Sequence, residues 1–342
     1  MNEDDMSSNV WIELCGSLLL FCLVWNMSAS VDFDALQHQI HNQKAILTGL
    51  ALQFLVMPFL GFTVVRVVQL PHEVSLILLV LCSSPGGSFS NFFCSLFNGD
   101  LALSVAMTAI STLLSVFALP LNLLIYARLV FHEDQVVVQW SAIFWTLFLV
   151  ILAITTGLAA SRRFATTRFH FYTNRIGNAA GLCLVFFTAA LSNSEPGSRL
   201  WQREPSFYVA VALPCLLGLT VAILLSTLLA LPRPERVSVC LECCIQNTGV
   251  GASVALTMFQ GEQLASAMAV PFYYGCVECV VVILFWLSVW KAGWTKAPQD
   301  ASIWTMLVTP YEVLALSSAK SISEVDCGYV NYEQEQVVSQ IV

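Results

Sequence analysis

Glu242 is the residue in this chain best placed to do chemistry. It lies inside an apolar stretch, where an uncompensated carboxylate costs about 2.5 to 3.5 kcal/mol even on a lenient insertion scale. A bound cation is its natural partner, and a shallower Glu that reaches back to Arg236 is the plainer alternative. Gln246 follows Glu242 at helical spacing, Ser104 and Thr108 repeat that spacing elsewhere, and Gln53, Ser90 and Asn91 add further uncharged oxygens within apolar runs. One carboxylate among hydroxyls and amides suits a hard monovalent ion, whereas calcium asks for several carboxylates and zinc for Cys or His. Each Ser or Thr taken alone could instead bond a neighbouring helix for about 1 kcal/mol.

The elements that must position these groups are unusual. Two membrane-length apolar stretches are interrupted, one at Cys82-Ser83-Ser84-Pro85-Gly86-Gly87-Ser88-Phe89-Ser90-Asn91 and the other at Glu242-Cys243-Cys244-Ile245-Gln246-Asn247-Thr248-Gly249-Val250-Gly251. Pro removes a backbone donor and paired glycines leave nothing to hold a helix. Irregular backbone at membrane depth survives only where it lines protein or a watery cavity. The breaks therefore mark an interior site of the kind that holds ion and substrate in a secondary transporter.

The composition requires a membrane protein: of 342 residues, 57% are hydrophobic and 11% charged, with a mean hydropathy of +0.76. Spans of roughly 17 to 25 residues fit at 11–30, 44–66, 74–96, 101–129, 138–160, 175–192, 207–230, 236–258 and 264–290, which predicts an all-α polytopic protein with about nine transmembrane helices. Under these spans Arg66, Arg128, Arg199 and Arg203 share one side and every other Lys and Arg the opposite side. The positive-inside bias then puts the acidic start outside and the C-terminus in the cytoplasm. A cleaved signal in the first span fits poorly, because the residues before it are acidic rather than basic. The net charge of −8, carried largely by the tails, gives no reason to expect a nucleic-acid partner.

The two halves repeat in outline. Pro58 and Gly61 precede the first break, Asn98-Gly99-Asp100 turns into a long span, and Ser104 and Thr108 lie in it; Pro214 and Gly218 precede the second break, and Gln260-Gly261-Glu262 turns into another long span. An odd offset between the units makes this an inverted repeat. The expected divisions are an extracellular tail at 1–10, a first repeat at 11–130, a second at 131–292 and a cytoplasmic tail at 293–342, with the N-terminus and the stretch from Gln299 onward expected to be mobile. The 12 cysteines lack a second ligand pair at zinc spacing and read as small buried hydrophobes. Asn26-Met27-Ser28 matches a glycosylation acceptor but falls at the inner end of the first span.

At the first break, at Asn98-Gly99-Asp100 with Ser104 and Thr108, and at Glu242 with Gln246-Asn247, the chain resembles the sodium/bile-acid symporter family over essentially all of 11–292. The resemblance implies a core domain from spans two to four and seven to nine, with broken spans three and eight crossing in it, beside a panel domain from spans one, five and six. It also implies one sodium held by Ser90, Asn91, Ser104, Thr108 and Glu242, and a second held by Gln53, Glu242, Gln246 and the carbonyls of Cys243 and Ile245. One departure stands out: Gly275-Cys276-Val277-Glu278 replaces a Gln-x-x-Glu pattern in the last span, which puts the substrate in question and leaves the sodium ligands alone.

The function expected on this basis is sodium-coupled import, at the plasma membrane, of an amphipathic organic anion such as a bile acid or steroid sulfate. Half-helix amides near Ser88 and Asn247 would face the anionic group. No enzyme is expected, because no nucleophile has a base at workable spacing, and no cofactor beyond the coupling ions. The rival is a non-transporting receptor or scaffold, which Tyr311-Glu312-Val313-Leu314 and Tyr329-Val330-Asn331 would serve as sorting or docking motifs. The sequence leaves oligomeric state open.

Overall fold

The computed structural model of the chain describes residues 3–29, 39, 41–87, 89–131, 140–164, 166–195, 199–309 and 311. Ser88, residues 312–314 of the first tyrosine motif and all of the second lie outside them. The described chain is helical throughout, with a single isolated bridge between Gly86 and Gln246 in place of any sheet.

In chain order the helices are α1 (Glu3–Ala29), α2 (Gln43–Val68), α3 (His72–Ser83), α4 (Phe89–Leu96), α5 (Leu101–Val130), α6 (Trp140–Arg163), α7 (Thr167–Leu191), α8 (Pro205–Leu228), α9 (Arg233–Cys244), α10 (Thr248–Met258), α11 (Gly261–Lys291) and the short α12 (Ile303–Val308). Helices α2, α5, α8 and α11 are long and apolar enough to cross a membrane. The two interrupted stretches appear as the pairs α3/α4 and α9/α10, with Ser84 and Ile245 in extended conformation at the interruptions.

Helix α1 packs along α6 and α7, while α2, α3, α5, α8, α9 and α11 pack on one another; α10 touches both groups. Helices α3 and α9 are innermost. Every residue from Val74 to Ser83 is buried, as is every residue from Val237 to Cys244. Large apolar side chains on the outer helices face away from the protein, among them Phe117 at 77% and Leu228 at 81% exposure. Such a surface belongs in lipid.

Three local features differ from the sequence reading. Helix α2 contains a wide π-helical turn at Leu52–Val56, just ahead of Pro58. Pro58 has no N–H to give the carbonyl four residues back, and the side chain of Asn122 on α5 donates to that carbonyl, Phe54 O, at 3.1 Å. The cysteines divide: Cys82, Cys94, Cys215, Cys240, Cys243 and Cys244 are buried as expected, but Cys15, Cys183, Cys276 and Cys279 are exposed on the helix surfaces. A weakly polar thiol is as compatible with lipid as with a protein core.

The segment after Gln299, expected to be mobile, is docked as far as it is described. Met306 is fully buried, Trp290 Nε1 donates to Pro298 O at 2.9 Å, and Asn98 Nδ2 donates to Met306 O at 3.1 Å. Apolar residues Trp294, Ala297 and Met306 join the core that already holds the stacked pair Phe97 and Trp286, which is why this stretch does not behave as a polar tail.

Candidate functional site

The two interruptions lie side by side and satisfy one another. Gly87 N donates to Ile245 O at 3.0 Å and Asn247 N donates to Pro85 O at 3.1 Å, an antiparallel pairing across the crossing point. Peptide groups that Pro85 and the glycines release from their own helices thus find partners without water. Both segments are buried from Leu81 to Gly87 and from Leu241 to Asn247.

Glu242 projects from the end of α9 into this crossing and is only 2% exposed. Its Oε2 accepts from Ser90 Oγ at 2.7 Å and Thr108 Oγ1 at 2.9 Å. Its Oε1 is buried with no hydrogen-bond partner. Arg236 does not reach it: the guanidinium bonds Leu231 O at 2.6 Å and lies over the Trp294 ring. Among the described residues no cation neutralises the carboxylate.

Asn91 extends the cluster. Its Oδ1 accepts from Ser104 Oγ at 2.9 Å and lies 3.3 Å from Thr108 Oγ1, whose proton goes to Glu242. Helix α4 supplies Ser90 and Asn91, and α5 supplies Ser104 and Thr108 one turn apart. The turn between these helices is fixed by Asp100, whose side chain caps α5 through Leu103 N at 3.0 Å. The five residues Ser90, Asn91, Ser104, Thr108 and Glu242 are therefore brought together, on three elements.

Gln53, in the π turn of α2, meets Gln246 at the second break. Gln53 Nε2 donates to Gln246 Oε1 at 2.6 Å and to Ser84 O at 2.6 Å, and Gln246 Nε2 donates to Cys243 O at 2.7 Å. Glu242 and Gln246 do not share a helix face, contrary to the spacing argument, because α9 ends at Cys244 and Ile245 is extended. Backbone extension carries Gln246 across to α2 instead. The Cys243 and Ile245 carbonyls both face this region, each accepting one hydrogen bond, from Gln246 Nε2 and Gly87 N respectively.

Chemically the cluster offers a carboxylate, amides, hydroxyls and carbonyls, with one carboxylate oxygen unfilled. An unsatisfied buried polar atom costs about 1 to 3 kcal/mol, and more when charged. This oxygen set fits a small hard monovalent cation, and lacks the several carboxylates of a calcium site.

A cavity of about 470 Å³ lies next to the crossing, between α1 and α7 on one side and α10 and α11 on the other. Leu23, Phe89, Leu184, Thr248 and Phe272 contribute to its largely apolar wall, and Glu278 is its charged residue. Asn247 is 3% exposed and its Oδ1 caps α10 through Val250 N at 3.3 Å; Thr248, next in sequence, is the residue that reaches the cavity. Sequence reasoning missed Asn122, for which the only signal was an amide at membrane depth opposite a proline-bearing span.

Residues 17–196 match the model of the Sodium Bile acid symporter family. The chain is 31% identical to the P3 protein of Bos taurus over 74% of this chain and 53% of that protein, so it spans about half the length of this relative. It is 26% identical to the ileal sodium/bile acid cotransporter of Homo sapiens over 79% of this chain and 76% of that protein. The hepatic sodium/bile acid cotransporter of Homo sapiens is likewise 26% identical, over 82% of this chain and 81% of that protein. With its paired helix breaks closed on a buried carboxylate and this extent of similarity, the chain belongs to the Sodium Bile acid symporter family.

Proposed function

We propose that the protein is a sodium-coupled symporter that imports an amphipathic organic anion by alternating access. The observation that carries this reading is the buried, partnerless Oε1 of Glu242 beside an Oε2 that holds Ser90 and Thr108. One sodium fits among Ser90, Asn91, Ser104, Thr108 and Glu242. A second fits by Gln53, Gln246, Glu242 and the carbonyls of Cys243 and Ile245, once the two amides release each other and turn their oxygens inward.

The polypeptide would cross the membrane about nine times, with α3/α4 and α9/α10 each counting as one crossing. The set α2 to α5 and α8 to α11 acts as the core, and α1, α6 and α7 act as the panel, consistent with the way these helices pack. The N-terminus is outside and the C-terminus cytoplasmic, in the plasma membrane. The substrate's apolar body occupies the cavity between panel and core.

Energetically, one charge crossing 100 mV is worth about 2.3 kcal/mol. A lone monoanion is repelled by a negative cell interior, whereas two accompanying sodium ions reverse that sign. Ion binding at the crossing fastens α4, α5 and α9 together and pre-forms the adjoining wall of the cavity, so the ion and the cargo favour the same state.

The test is uptake of labelled taurocholate or a steroid sulfate with sodium replaced by choline. Sodium-dependent uptake that disappears in Glu242→Ala and Gln246→Ala at normal surface expression is expected. Equal uptake in both salts would remove the coupling.

A further inference from the structure

Resting on the reading above, we infer that Glu278 is the specificity-determining contact of the cavity, and that it selects a cargo carrying a hydroxyl donor on its apolar body. The cavity wall is otherwise almost wholly apolar, yet it includes this carboxylate, which is 3% exposed. Its Oε2 accepts from Gln246 N at 3.2 Å. Its Oε1 is turned toward Gly275: a Cβ built there would sit 4.0 Å from that oxygen and 3.9 Å from Thr248 Cγ2, with nothing nearer. Both Gly275 and Thr248 line the cavity, so the open oxygen looks into it.

The position of Glu278 decides what it can bind. Gln246 immediately precedes Asn247, the N-cap of α10. The carboxyl therefore already takes the backbone amide that lies just ahead of this helix end. A second anion brought there would be buried beside the Glu278 carboxyl with no cation in reach among the described residues, whereas a hydroxyl can pair from the cavity side with Oε1, which takes no hydrogen bond. Gly275 leaves room for it. The anionic group of the cargo must then lie elsewhere along the cavity, and Glu278 reads the body rather than the head. Discrimination by this kind of contact is large, because the analogue without the hydroxyl leaves a buried polar group unpaired.

The experiment uses the full chain and a matched pair of probes, taurocholate and its ring-dehydroxylated analogue, assayed both for sodium-dependent uptake in cells and for ligand-induced thermal stabilisation of purified protein. The expected result is a KM at least roughly 10-fold lower for taurocholate. Glu278→Gln keeps the shape and an acceptor for Gln246 N but weakens the contact, so it should narrow that ratio, and Glu278→Ala should abolish it, with uptake of both probes read at saturating sodium. Gly275→Leu, whose Cβ would meet Thr248 Cγ2 at 3.9 Å and Glu278 Oε1 at 4.0 Å without a clash, should raise KM for both probes by filling the cavity. Equal KM values in the unaltered protein, or a ratio that survives Glu278→Ala, overturns the inference, as does the absence of thermal stabilisation by either probe. Binding with the expected preference but without sodium dependence would sink the coupling reading alone and leave this one standing.

Discussion

Gly86 faces Glu242 so closely that a Cβ on residue 86 would run into Glu242 Oε1, the oxygen that has no partner. The absence of a side chain at one break is therefore what leaves space beside the carboxylate of the other. Any atom added at 86 competes for the place where an ion would sit.

Gly86→Ala should accordingly displace the Glu242 carboxylate and strip the protein of sodium-dependent uptake, reducing it by roughly 10-fold or more. The cost to stability should be about 1 to 3 kcal/mol, as for other overpacked sites. Uptake assays paired with surface-expression measurement check this. Normal sodium-dependent transport in the alanine variant would mean that the space beside Oε1 is not used.

Sodium itself should stabilise the fold. A ligand present at about 100 times its Kd stabilises the native state by about 2.7 kcal/mol, so sodium but not choline should raise the melting temperature of the purified protein. Ser90→Ala and Thr108→Val each remove a hydroxyl from Glu242 Oε2 and should shrink that rise. Glu242→Gln should erase it while preserving the packing volume. A sodium-induced shift that persists in Glu242→Gln places the ion elsewhere.

The amide pair Gln53 and Gln246 should be separable from the Glu242 cluster. Gln53→Ala removes the 2.6 Å bond to Gln246 and the bond to Ser84 O, leaving the Ser90, Asn91, Ser104 and Thr108 cluster intact. The Hill coefficient for sodium in uptake should then drop from about 2 to about 1, with half-saturation raised roughly 10-fold, as expected when one of two coupled sites is lost. An unchanged Hill coefficient would argue that Gln53 serves only to brace the break.

How much of this could be read in the sequence depended on local chemistry. Glu242, Ser90, Asn91, Ser104 and Thr108 stand out because polar groups in apolar runs are costly, and Pro85 with Gly86 and Gly87 announces a break because those residues cannot hold a helix. That the breaks pair through Gly87 N and Asn247 N is a relation between segments some 160 residues apart in the sequence, and no local signal encodes it. The spacing of Glu242 and Gln246 misled because helical periodicity was carried past Cys244, where the helix stops. The π turn around Gln53, and Asn122 on Phe54 O, follow from Pro58 only once α2 and α5 are known to touch. The docking of residues after Gln299 was hidden by the polar run Gln299-Asp300, although Trp294 and Met306 carry the apolar surface that fastens it.

That docking rests on Asn98, which lies at the turn between helices α4 and α5 and adopts a left-handed φ of 56°. Its Nδ2 donates to Met306 O at 3.1 Å, its Oδ1 accepts from Tyr311 N at 2.9 Å and its carbonyl accepts from Lys296 N at 2.8 Å. Asn98→Gly keeps the backbone conformation and loses the two side-chain bonds, which should cost about 1 to 3 kcal/mol. Asn98→Ala also places a Cβ in the left-handed region, adding about 1 to 2 kcal/mol. Melting temperature should therefore fall in the order unaltered protein, glycine variant, alanine variant. Removing residues 292–342 should make the glycine substitution nearly neutral, since the partners of the side chain would be gone. If the glycine variant is as destabilised without that segment as with it, the bonds from Asn98 to Met306 and Tyr311 are not what holds the segment in place.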